Sequence, residues 1–383
     1  MKTIWIRPCI GGKRYPRSTG CRDVRNAEAA ARKIRAEIEA EVRGIAPPKR
    51  ITIEDALKDF VRSLASGRGG ADQQKAVEKI VKQVLAAGPV RFVDELHVGI
   101  YDAWVAKARQ PRPKKPNGLA KWTIHMRAQY IRRFGKWLED TDRIHKSPFR
   151  TVPLISGATS AKRKRALKFD ELNTLLTATR RRPIDDARRE RIHAGVSDRE
   201  RVRLRKVGRR RALVMRTIAR SGIRPNELRQ VTIAYFDPAD QTIFLPAHVA
   251  KAKRDELVYL TPDLSRRLAA LVRSMGPGPD SRRLFPKAIP NSRTFDLDMA
   301  AAGLPKEDLR RGSLCLYSMR KTFSTHLSMC GVDDEMGSRL MRHALKSLKA
   351  RVYTDAGLLD LREPMRLLDQ RDREERRKWR RGL

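Results

Sequence analysis

Two tyrosines in this chain lie within basic stretches of sequence, where a phenol could attack a phosphate. Tyr353 follows His343 by ten positions in the segment LMRHALKSLKARVYTD, which is rich in Arg and Lys. Tyr317 precedes Arg320 by three positions, so the two would share neighbouring faces of a helix. A phenol titrates near pH 10, so it needs help to act as a nucleophile. An apolar stripe with a step of four residues also runs through the Tyr353 segment, so a buried structural tyrosine is the alternative interpretation.

Arg224 lies where one predicted helix ends and the next begins. Gly222 ends the first helix, and Pro225 suits the first position of the second. The N-terminus of a helix disfavours a cation, so an arginine at this place suggests a local task, such as gripping an anion together with the helix amides. Glu227 lies within reach of the same turn and could hold Arg224 in place. Taken alone, the two residues are most simply a local ion pair.

Lys251, Lys253 and His326 are weaker candidates for a role in the chemistry. Lys251 and Lys253 lie in the turn of a predicted β-hairpin. A lysine at such a tip either reaches into a groove to protonate a leaving alkoxide or stays in water. His326 falls on the predicted helix that carries Arg320, where we expect it to satisfy a local hydrogen bond rather than to act in catalysis.

The elements that must position these residues form a mainly helical α+β pattern. Residues 1–45 predict two short strands and a helix, and residues 51–150 predict a helical domain. Residues 163–360 predict helices around a small antiparallel sheet, whose strands are the runs VTIAYF, TIFLPA and LVYLTP. Residues 361–383 predict a tail helix with a short apolar stripe, which either docks on a neighbouring protomer or packs on its own domain.

The composition limits the partners of the chain. Its 383 residues include 85 Lys and Arg against 44 Asp and Glu, a formal net charge of +41. Such an excess attracts nucleic acid, because binding releases counterions from the phosphates. No apolar run approaches the roughly 18 residues of a membrane span and no signal peptide opens the sequence, so we expect a cytoplasmic protein. The four cysteines lack zinc-like spacing, so we expect reduced thiols and no structural metal.

The segment 180–211 is unusually basic. It holds 14 Lys and Arg against 5 Asp and Glu, a net charge of +9. The segment is either a solvated helix or an insertion that faces DNA.

Considered together and in chain order, these residues resemble the tyrosine recombinases, also called phage integrases. SGIRPNEL, which contains Arg224 and Glu227, resembles the family's first arginine box, T-G-[LI]-R-x-x-E-L. KAKRDELVYLTP resembles its lysine hairpin, and YSMRKTFSTHL resembles its second box, H-x-x-R-H-[ST]-F-A-[ST]-x-[LM]. LMRHALKSLKARVYTD resembles L-x-G-H-x-x-[ILS]-x-x-T-x-x-Y. The resemblance is strong over residues 165–356 and looser upstream.

The resemblance implies a site-specific DNA recombinase, or integrase, that integrates or excises a mobile element. Tyr353 would attack a DNA phosphate, forming a 3′-phosphotyrosyl link and freeing a 5′-hydroxyl. Arg224 and Arg320 would grip the non-bridging oxygens and stabilise the transition state. Lys251 would protonate the leaving oxygen, with Lys253 as the reserve.

The resemblance implies supporting roles for three further residues. His343 would hydrogen-bond the phosphate, Tyr317 would take the place of the family's second histidine, and Glu227 would orient its neighbours. The covalent bond conserves the energy of the phosphodiester, so the implied reaction uses no ATP, no other cofactor and no metal.

The same resemblance implies domain roles and partners. Residues 1–45 would be an arm-type DNA-binding module, residues 51–150 a SAM-like helical core-binding domain, and residues 163–360 the catalytic domain. The working unit would be a homotetramer on two double-stranded DNA sites at the nucleoid. Accessory DNA-bending or directionality factors fit this picture, and a membrane does not.

Three departures from the family pattern leave alternatives open. Tyr317 stands where the family usually has histidine, Lys321 stands where another histidine is common, and the interval from His343 to Tyr353 is one residue longer than usual. A phenol can donate a hydrogen bond but cannot shuttle a proton near pH 7 as imidazole does. The departures leave open a catalytically inactive DNA-binding protein of the same fold. A type IB topoisomerase, which relaxes one duplex, would share the chemistry, but the arm-like and core-binding-like regions favour the recombinase. An RNA-binding protein is less favoured, because no aromatic-rich RNA-binding strand occurs.

Overall fold

The chain forms two compact units, Met1–Ser160 and Ala161–Leu383. The computed structural model describes residues 3–42, 50–65, 70–113, 116–155, 163–190, 195–308, 310–344 and 358–382. None of the helices in these ranges combines the length and the apolar character that a membrane crossing requires.

The first unit begins with a broken β-hairpin and a long helix. The hairpin pairs β1 (Trp5–Ile6) with β4 (Arg17–Ser18), and β2 (Cys9–Ile10) with β3 (Lys13–Arg14), all antiparallel. Two glycines with positive φ form the tight turn at its tip. The helix α1 (Val24–Val42) follows. The two predicted strands and the helix are therefore confirmed, although each strand is divided into two short ladders.

The rest of the first unit is a helical bundle. Its helices are α2 (Ile53–Ala65), α3 (Ala71–Leu85), α4 (Gly99–Arg109) and α5 (Lys121–Asp140). The hydroxyl of Thr52 caps α2 by accepting the backbone N–H of Asp55 at 3.1 Å. The buried face of α5 repeats every three or four positions through Ile124, Ala128, Ile131 and Phe134, which matches one side of a helix.

The second unit is a larger helical body with small antiparallel sheets. Its helices are α6 (Phe169–Glu190), α7 (Asp198–Ser221), α8 (Pro225–Leu228), α9 (Pro262–Arg273), α10 (Ser292–Ala301), α11 (Ser318–Met329), α12 (Asp334–Leu340) and α13 (Glu363–Arg381). Helices α6 and α7 pack side by side. Gly208 permits their close approach, because a Cβ at this position would lie 2.3 Å from the carbonyl oxygen of Arg180.

Three short strands of this unit form the sheet that carries the predicted lysine hairpin. The strands β5 (Phe236–Asp237), β6 (Thr242–Leu245) and β7 (Glu256–Tyr259) pair antiparallel in this order. The first predicted strand, VTIAYF, is mostly wrong. Its backbone at Ile233 and Ala234 donates instead to carbonyls of the loop at 280–282, at 2.9 and 3.1 Å, and forms a 3-10 turn. A separate hairpin joins β8 (Glu307–Asp308) to β9 (Gly312–Ser313).

The basic segment 180–211 divides into a structural part and an exposed part. Arg182 and Arg211 both bind the buried carboxylate of Asp298 on α10, at 2.6 and 2.8 Å. Near the start of α7, side chains such as Arg199 and Arg205 are exposed. Part of the segment is therefore a tie between α6, α7 and α10 rather than a solvated face.

The tail helix α13 packs on the unit to which it belongs. Met365 and Leu368 are buried in a cluster with Phe169, Phe323 and Leu327 of α6 and α11. The indole N–H at the far end of the helix, on Trp379, donates to the hydroxyl of Thr174 on α6 at 3.1 Å. Of the two placements that the sequence left open, the structure shows the tail on its own unit.

Candidate active site

Arg224 begins the short helix α8 directly after a left-handed turn. The preceding helix ends at Gly222, whose φ is 63° and whose N–H donates to the carbonyl of Ile218 at 3.0 Å. Only glycine adopts this backbone conformation without steric cost. Ile223 is fully buried and anchors the turn. Arg224 is thereby held at a helix start, as the sequence predicts, with part of its side chain still exposed.

Glu227 is the centre of the site and receives four hydrogen bonds. Its Oε1 accepts from Nη1 of Arg224 at 2.7 Å and from the backbone N–H of Lys251 at 3.2 Å. Its Oε2 accepts from the backbone N–H of Arg224 at 3.1 Å and from Nη2 of Arg342 at 2.6 Å. Burial alone would raise the pKa of Glu227, but the charge of Arg342 and the hydrogen bonds from Arg224 outweigh burial and lower it. Glu227 is therefore ionised, and each of its carboxylate oxygens accepts two hydrogen bonds.

Arg320 is completely buried near the N-terminal end of α11. Its Nη1 donates to the carbonyl of Gly222, and its Nη2 donates to the carbonyl of Met341. The guanidinium therefore ties the end of α7 to the turn after α12. Burial and the charges of Arg224 and Arg342 lower the pKa of Arg320 to about 10. Its Nε is buried without a hydrogen-bond partner in the described part of the chain.

The predicted lysines lie on the connection between β6 and β7. Lys251 and Lys253 are both exposed, and Lys253 has a φ of 56°. The backbone of Lys251, not its ammonium group, makes the bond to Glu227. This bond fixes one end of the connection against α8 and leaves the Lys251 side chain at the surface.

Tyr317 precedes α11 and is half exposed. Its backbone carbonyl accepts the N–H of Arg320 at 3.1 Å, so the two residues share the first turn of the helix. The hydroxyl is therefore carried on the element that holds Arg320, as the three-residue spacing predicts.

His343 follows α12 and is exposed, with its backbone N–H donating to the carbonyl of Ser338 at 3.0 Å. Partial burial of the ring and the charges of Arg320, Arg224 and Arg342 lower the pKa of His343. The imidazole is therefore near three guanidinium groups and is biased toward its neutral form. Tyr353, the predicted nucleophile, lies outside the described residues.

Arg342 is a site residue that the sequence analysis missed. It occupies the position where the pattern L-x-G-H has glycine, and its φ of 53° is in the left-handed region that favours glycine. Its side chain is buried and binds Glu227 at 2.6 Å and Glu256 at 3.1 Å. The sequence does contain one indication of this role, because a charged residue stands where the family pattern has glycine.

The structure thus brings together four of the predicted residues through Glu227 and two backbone carbonyls. They are Arg224, Glu227, the backbone of Lys251 and Arg320. His343 and Arg342 border an open depression whose rim also carries Arg254 and Arg339. This arrangement concentrates positive charge on a rigid carboxylate and suits the binding of a phosphate. In the described ranges, no cluster of His, Cys, Asp and Glu has the composition to hold a metal ion.

His326 lies in a separate buried network behind the site. Its Nε2 is 2.9 Å from the carbonyl of Leu167, which can only accept, so Nε2 carries the proton. Its Nδ1 then accepts from Arg220 at 3.1 Å. Burial and the charge of Arg220 lower the pKa of His326 to about 3. The prediction that His326 satisfies a hydrogen bond within the fold is confirmed.

Comparison with known proteins places this geometry in a recognised fold. No family model and no curated protein matches the sequence. Among solved structures, a lambda integrase tetramer bound to a Holliday junction matches 94% of this chain and 94% of its own, with a TM-score of 0.56 and 15% identity. A lambda integrase fragment dimer bound to a COC′ core site matches 81% of this chain and 98% of its own, with a TM-score of 0.55 and 13% identity.

A transposon protein shows the same likeness. The Tn1549 transposon integrase, in complex with circular intermediate DNA, matches 80% of this chain and 96% of its own, with a TM-score of 0.52 and 16% identity. The chain has the tyrosine recombinase, or integrase, fold. The mainly helical α+β class predicted from the sequence is confirmed.

Proposed function

We propose that the protein is a site-specific DNA recombinase that cleaves and rejoins DNA strands through a 3′-phosphotyrosyl intermediate. The observation that carries this proposal is that Arg224, which binds the buried Glu227, lies close enough to Arg320 and His343 for its charge to lower the pKa of both, in a chain with the tyrosine recombinase fold. Each of these residues also falls on the matching position of a recombinase sequence box. The fold, the order of the boxes along the chain and the geometry of the site therefore support the same chemistry.

The chemistry proposed for the site is an in-line attack on a DNA phosphate. The phenol of Tyr353 loses its proton to water and its oxygen forms the new bond to phosphorus. The bond from phosphorus to the 5′-oxygen breaks, and this oxygen leaves with a proton from Lys251, or from Lys253 in its place. Arg224 binds a non-bridging oxygen and stabilises the charge of the transition state. No metal or other cofactor takes part in this scheme.

Arg320 has two tasks in this proposal. The resemblance implies that Arg320 grips the phosphate together with Arg224, but its two amino groups hold the carbonyls of Gly222 and Met341. Its contribution at the phosphate is therefore its charge. His343 donates a hydrogen bond to the phosphate, while Glu227 fixes the orientation of Arg224. Tyr317, which is exposed beside Arg320, takes the place of the family's second histidine as a hydrogen-bond donor.

The partner is double-stranded DNA, and the working assembly is a homotetramer on two duplexes. The net charge of +41 supports a polyanionic partner, and the lambda integrase match is a tetramer on a Holliday junction. Residues 1–45 would bind arm-type DNA, residues 51–150 would bind the core site, and residues 163–360 would catalyse. We propose that the protein acts on the cytoplasmic nucleoid, with DNA-bending or directionality factors as helpers, to integrate or excise a mobile element.

A recombination assay separates this function from the two alternatives. The protein would be incubated with two supercoiled plasmids, each carrying DNA that flanks its own gene, and the products would be read by sequencing across the sites. Junctions between the plasmids support a recombinase. Relaxation without junctions would favour a type IB topoisomerase, and tight binding with neither product would favour an inactive DNA-binding protein.

A further inference from the structure

Arg342 has a backbone conformation that an arginine seldom adopts. Its φ of 53° places it in the left-handed region, which costs a residue with a Cβ free energy that glycine avoids. Arg342 and the residue before it, Met341, are both buried. A side chain held in an unfavourable backbone conformation and out of water requires a compensating interaction.

The compensating interaction is a pair of buried salt bridges. Nη2 of Arg342 lies 2.6 Å from Oε2 of Glu227, and Nε of Arg342 lies 3.1 Å from Oε2 of Glu256. All three side chains are less than one-tenth exposed, so water screens these charges little. Removing Arg342 would take one buried ion pair from each of the two carboxylates.

The two carboxylates belong to different parts of the site. Glu227 lies on α8 and holds Arg224, whereas Glu256 begins β7 at the end of the connection that carries Lys251. Arg342 itself directly precedes His343. One guanidinium therefore ties together the three segments that carry Arg224, Lys251 and His343.

We infer that Arg342 is a positioning residue, which fixes these three segments against one another and shares Glu227 with Arg224. This inference rests on the proposed strand cleavage. By engaging Oε2 of Glu227, Arg342 leaves Arg224 bound to Oε1 through Nη1, so the rest of the Arg224 guanidinium is available to a phosphate. Its positive charge also offsets Glu227, which would otherwise weaken the attraction of the site for an anion.

The inference makes Arg342 and Glu256 a matched pair. Arg342→Gly restores the backbone preference of the turn but leaves Glu227 paired with Arg224 alone and Glu256 paired only with the exposed Arg254, at 3.6 Å. Arg342→Gly combined with Glu256→Gln removes the charge left at Glu256 as well. The double variant should therefore be less impaired than the single variant, which is the opposite of what two independent losses would give.

The test measures single-turnover cleavage of a nicked substrate that traps the covalent product. We expect Arg342→Gly to cleave roughly 30-fold more slowly than the unaltered protein, and the double variant to recover roughly tenfold of this loss. Arg342→Lys keeps the charge but cannot reach both carboxylates in the arginine geometry. Its cleavage rate should therefore lie between those of the unaltered protein and Arg342→Gly. The pKa of His343, followed by NMR, should rise in Arg342→Gly because a neighbouring positive charge is lost.

Arg182 supplies the matched control. It also joins two carboxylates, Asp186 and Asp298, and it has no contact with the site residues in the described part of the chain. Arg182→Ala removes both of these ion pairs, so it should lower the unfolding temperature, yet cleave at the unaltered rate per folded molecule.

Three results would overturn the inference. They are a folded Arg342→Gly that cleaves at the unaltered rate, a double variant no faster than the single variant, and an unchanged pKa of His343. If Arg342→Gly does not fold, the Arg342→Lys and double variants decide by the same criteria. Absence of cleavage by the unaltered protein would count against the proposed function, whereas the His343 titration would still report on the Arg342 tie.

Discussion

Arg320 shows how a charged side chain can organise a site from within. Its guanidinium is completely buried and donates to carbonyls of two segments that are far apart in sequence, at Gly222 and Met341. The first of these segments leads into Arg224, and the second leads into His343. The same side chain therefore supplies charge to the site and holds two of its other members in place.

A lysine should not replace this arginine. Arg320→Lys keeps the charge but presents a single ammonium group, which cannot reproduce the planar two-point geometry. One buried carbonyl then loses its partner, so we expect the variant to lose about 1–3 kcal/mol of unfolding free energy and most of its cleavage activity. Chemical denaturation and a single-turnover cleavage assay would measure the two effects. An Arg320→Lys variant with normal cleavage would show that the two-point geometry is dispensable.

A second prediction concerns the pH dependence that His326 gives to folding. The folded protein holds the pKa of His326 at about 3, below its ordinary value of 6.5, because the ring is buried beside Arg220. Below about pH 6.5 the unfolded chain therefore takes up a proton that the folded protein does not. Stability should fall as pH falls through this window, by about 1.4 kcal/mol per pH unit from this residue.

Hydrogen exchange of peptides from α7 and α11, measured between pH 7 and pH 5 and corrected for the intrinsic exchange rate, would detect this loss. The control is His326→Gln, which can donate to Leu167 and accept from Arg220 but does not titrate. The variant should show a flatter pH profile than the unaltered protein. Identical profiles would mean that His326 titrates near its ordinary value in the folded state.

The individual site residues differ in how far sequence reasoning could find them. Arg224, Arg320 and His343 follow from the order and spacing of the boxes, because local turns and helix starts place them. The role of Arg342 depends on Glu256, which is 86 positions away in the chain. No local pattern encodes that contact, and the same segment read alone suggests only another basic surface residue.

At the scale of elements, the turn between α7 and α8 is the joint on which the site depends. Gly222 has a positive φ, and a Cβ there would lie 2.5 Å from the ring of Phe323 on α11. Its carbonyl also accepts from Arg320. The glycine is therefore required by backbone conformation, by packing and by the position of its carbonyl.

Gly222→Ala should disturb both stability and the site. The left-handed conformation costs alanine about 1 kcal/mol, and the contact with Phe323 adds a cost of similar or larger size. We expect a lower unfolding temperature and slower cleavage, because Arg224 and Arg320 both depend on this turn. Gly303→Ala is the matched control, since Gly303 also has a positive φ but an alanine Cβ there would meet no described heavy atom within 4 Å. Equal effects of the two substitutions would show that packing at Gly222 is unimportant.

The tail helix α13 is held on its unit by a buried ion network as well as by apolar packing. Asp372 is 3% exposed and binds Arg220 and Arg216 of α7 and Arg376 of α13. Burial alone would raise the pKa of Asp372, but the charge of Arg220 and its neighbours lowers it far below the ordinary value. The helix is therefore bound to the core of its unit through charges that are poorly solvated.

Removal of the Asp372 carboxylate should expose this dependence. Asp372→Ala takes from the buried Arg220 the carboxylate that it binds and leaves Arg216 with Asp263 at 3.9 Å, so we expect a loss of about 3–5 kcal/mol of unfolding free energy. Glu363→Ala removes an exposed salt bridge on the same helix and should cost less than about 1 kcal/mol. Denaturation of the two variants in parallel would measure the difference. Equal, small losses would indicate that α13 adds little to the stability of its unit.

The alternation of helices with three strand-like runs was enough to predict the fold class, but the sequence did not define every edge. The run VTIAYF has the composition of a strand, yet most of it bonds to the loop at 280–282 instead of to β6. That choice depends on a partner about 50 positions away, which periodicity cannot reveal. The packing partner of the tail helix could not be predicted either, because an apolar stripe fits equally well on its own domain or on a neighbouring protomer.

For the whole molecule, the residues that carry the large positive charge fall into a buried group and an exposed group. Arg182, Arg211 and Arg320 are largely buried and stabilise the fold, whereas the exposed residues near the start of α7 remain on the surface. A net charge alone therefore overstates how many cations can meet DNA phosphates. What makes the charge informative is its concentration around Glu227 in a fold shared with the integrases of lambda and Tn1549.

The most direct measurement is covalent capture of DNA by Tyr353. Nicked duplexes with the DNA that flanks the gene would be mixed with the protein, and adducts that resist SDS would be digested and located by mass spectrometry. Tyr353→Phe would be run beside the unaltered protein. The proposed function predicts a 3′-phosphate linked to Tyr353 and no adduct in the variant. An adduct that persists in Tyr353→Phe, or DNA that is bound tightly and salt-sensitively but never linked, would contradict it.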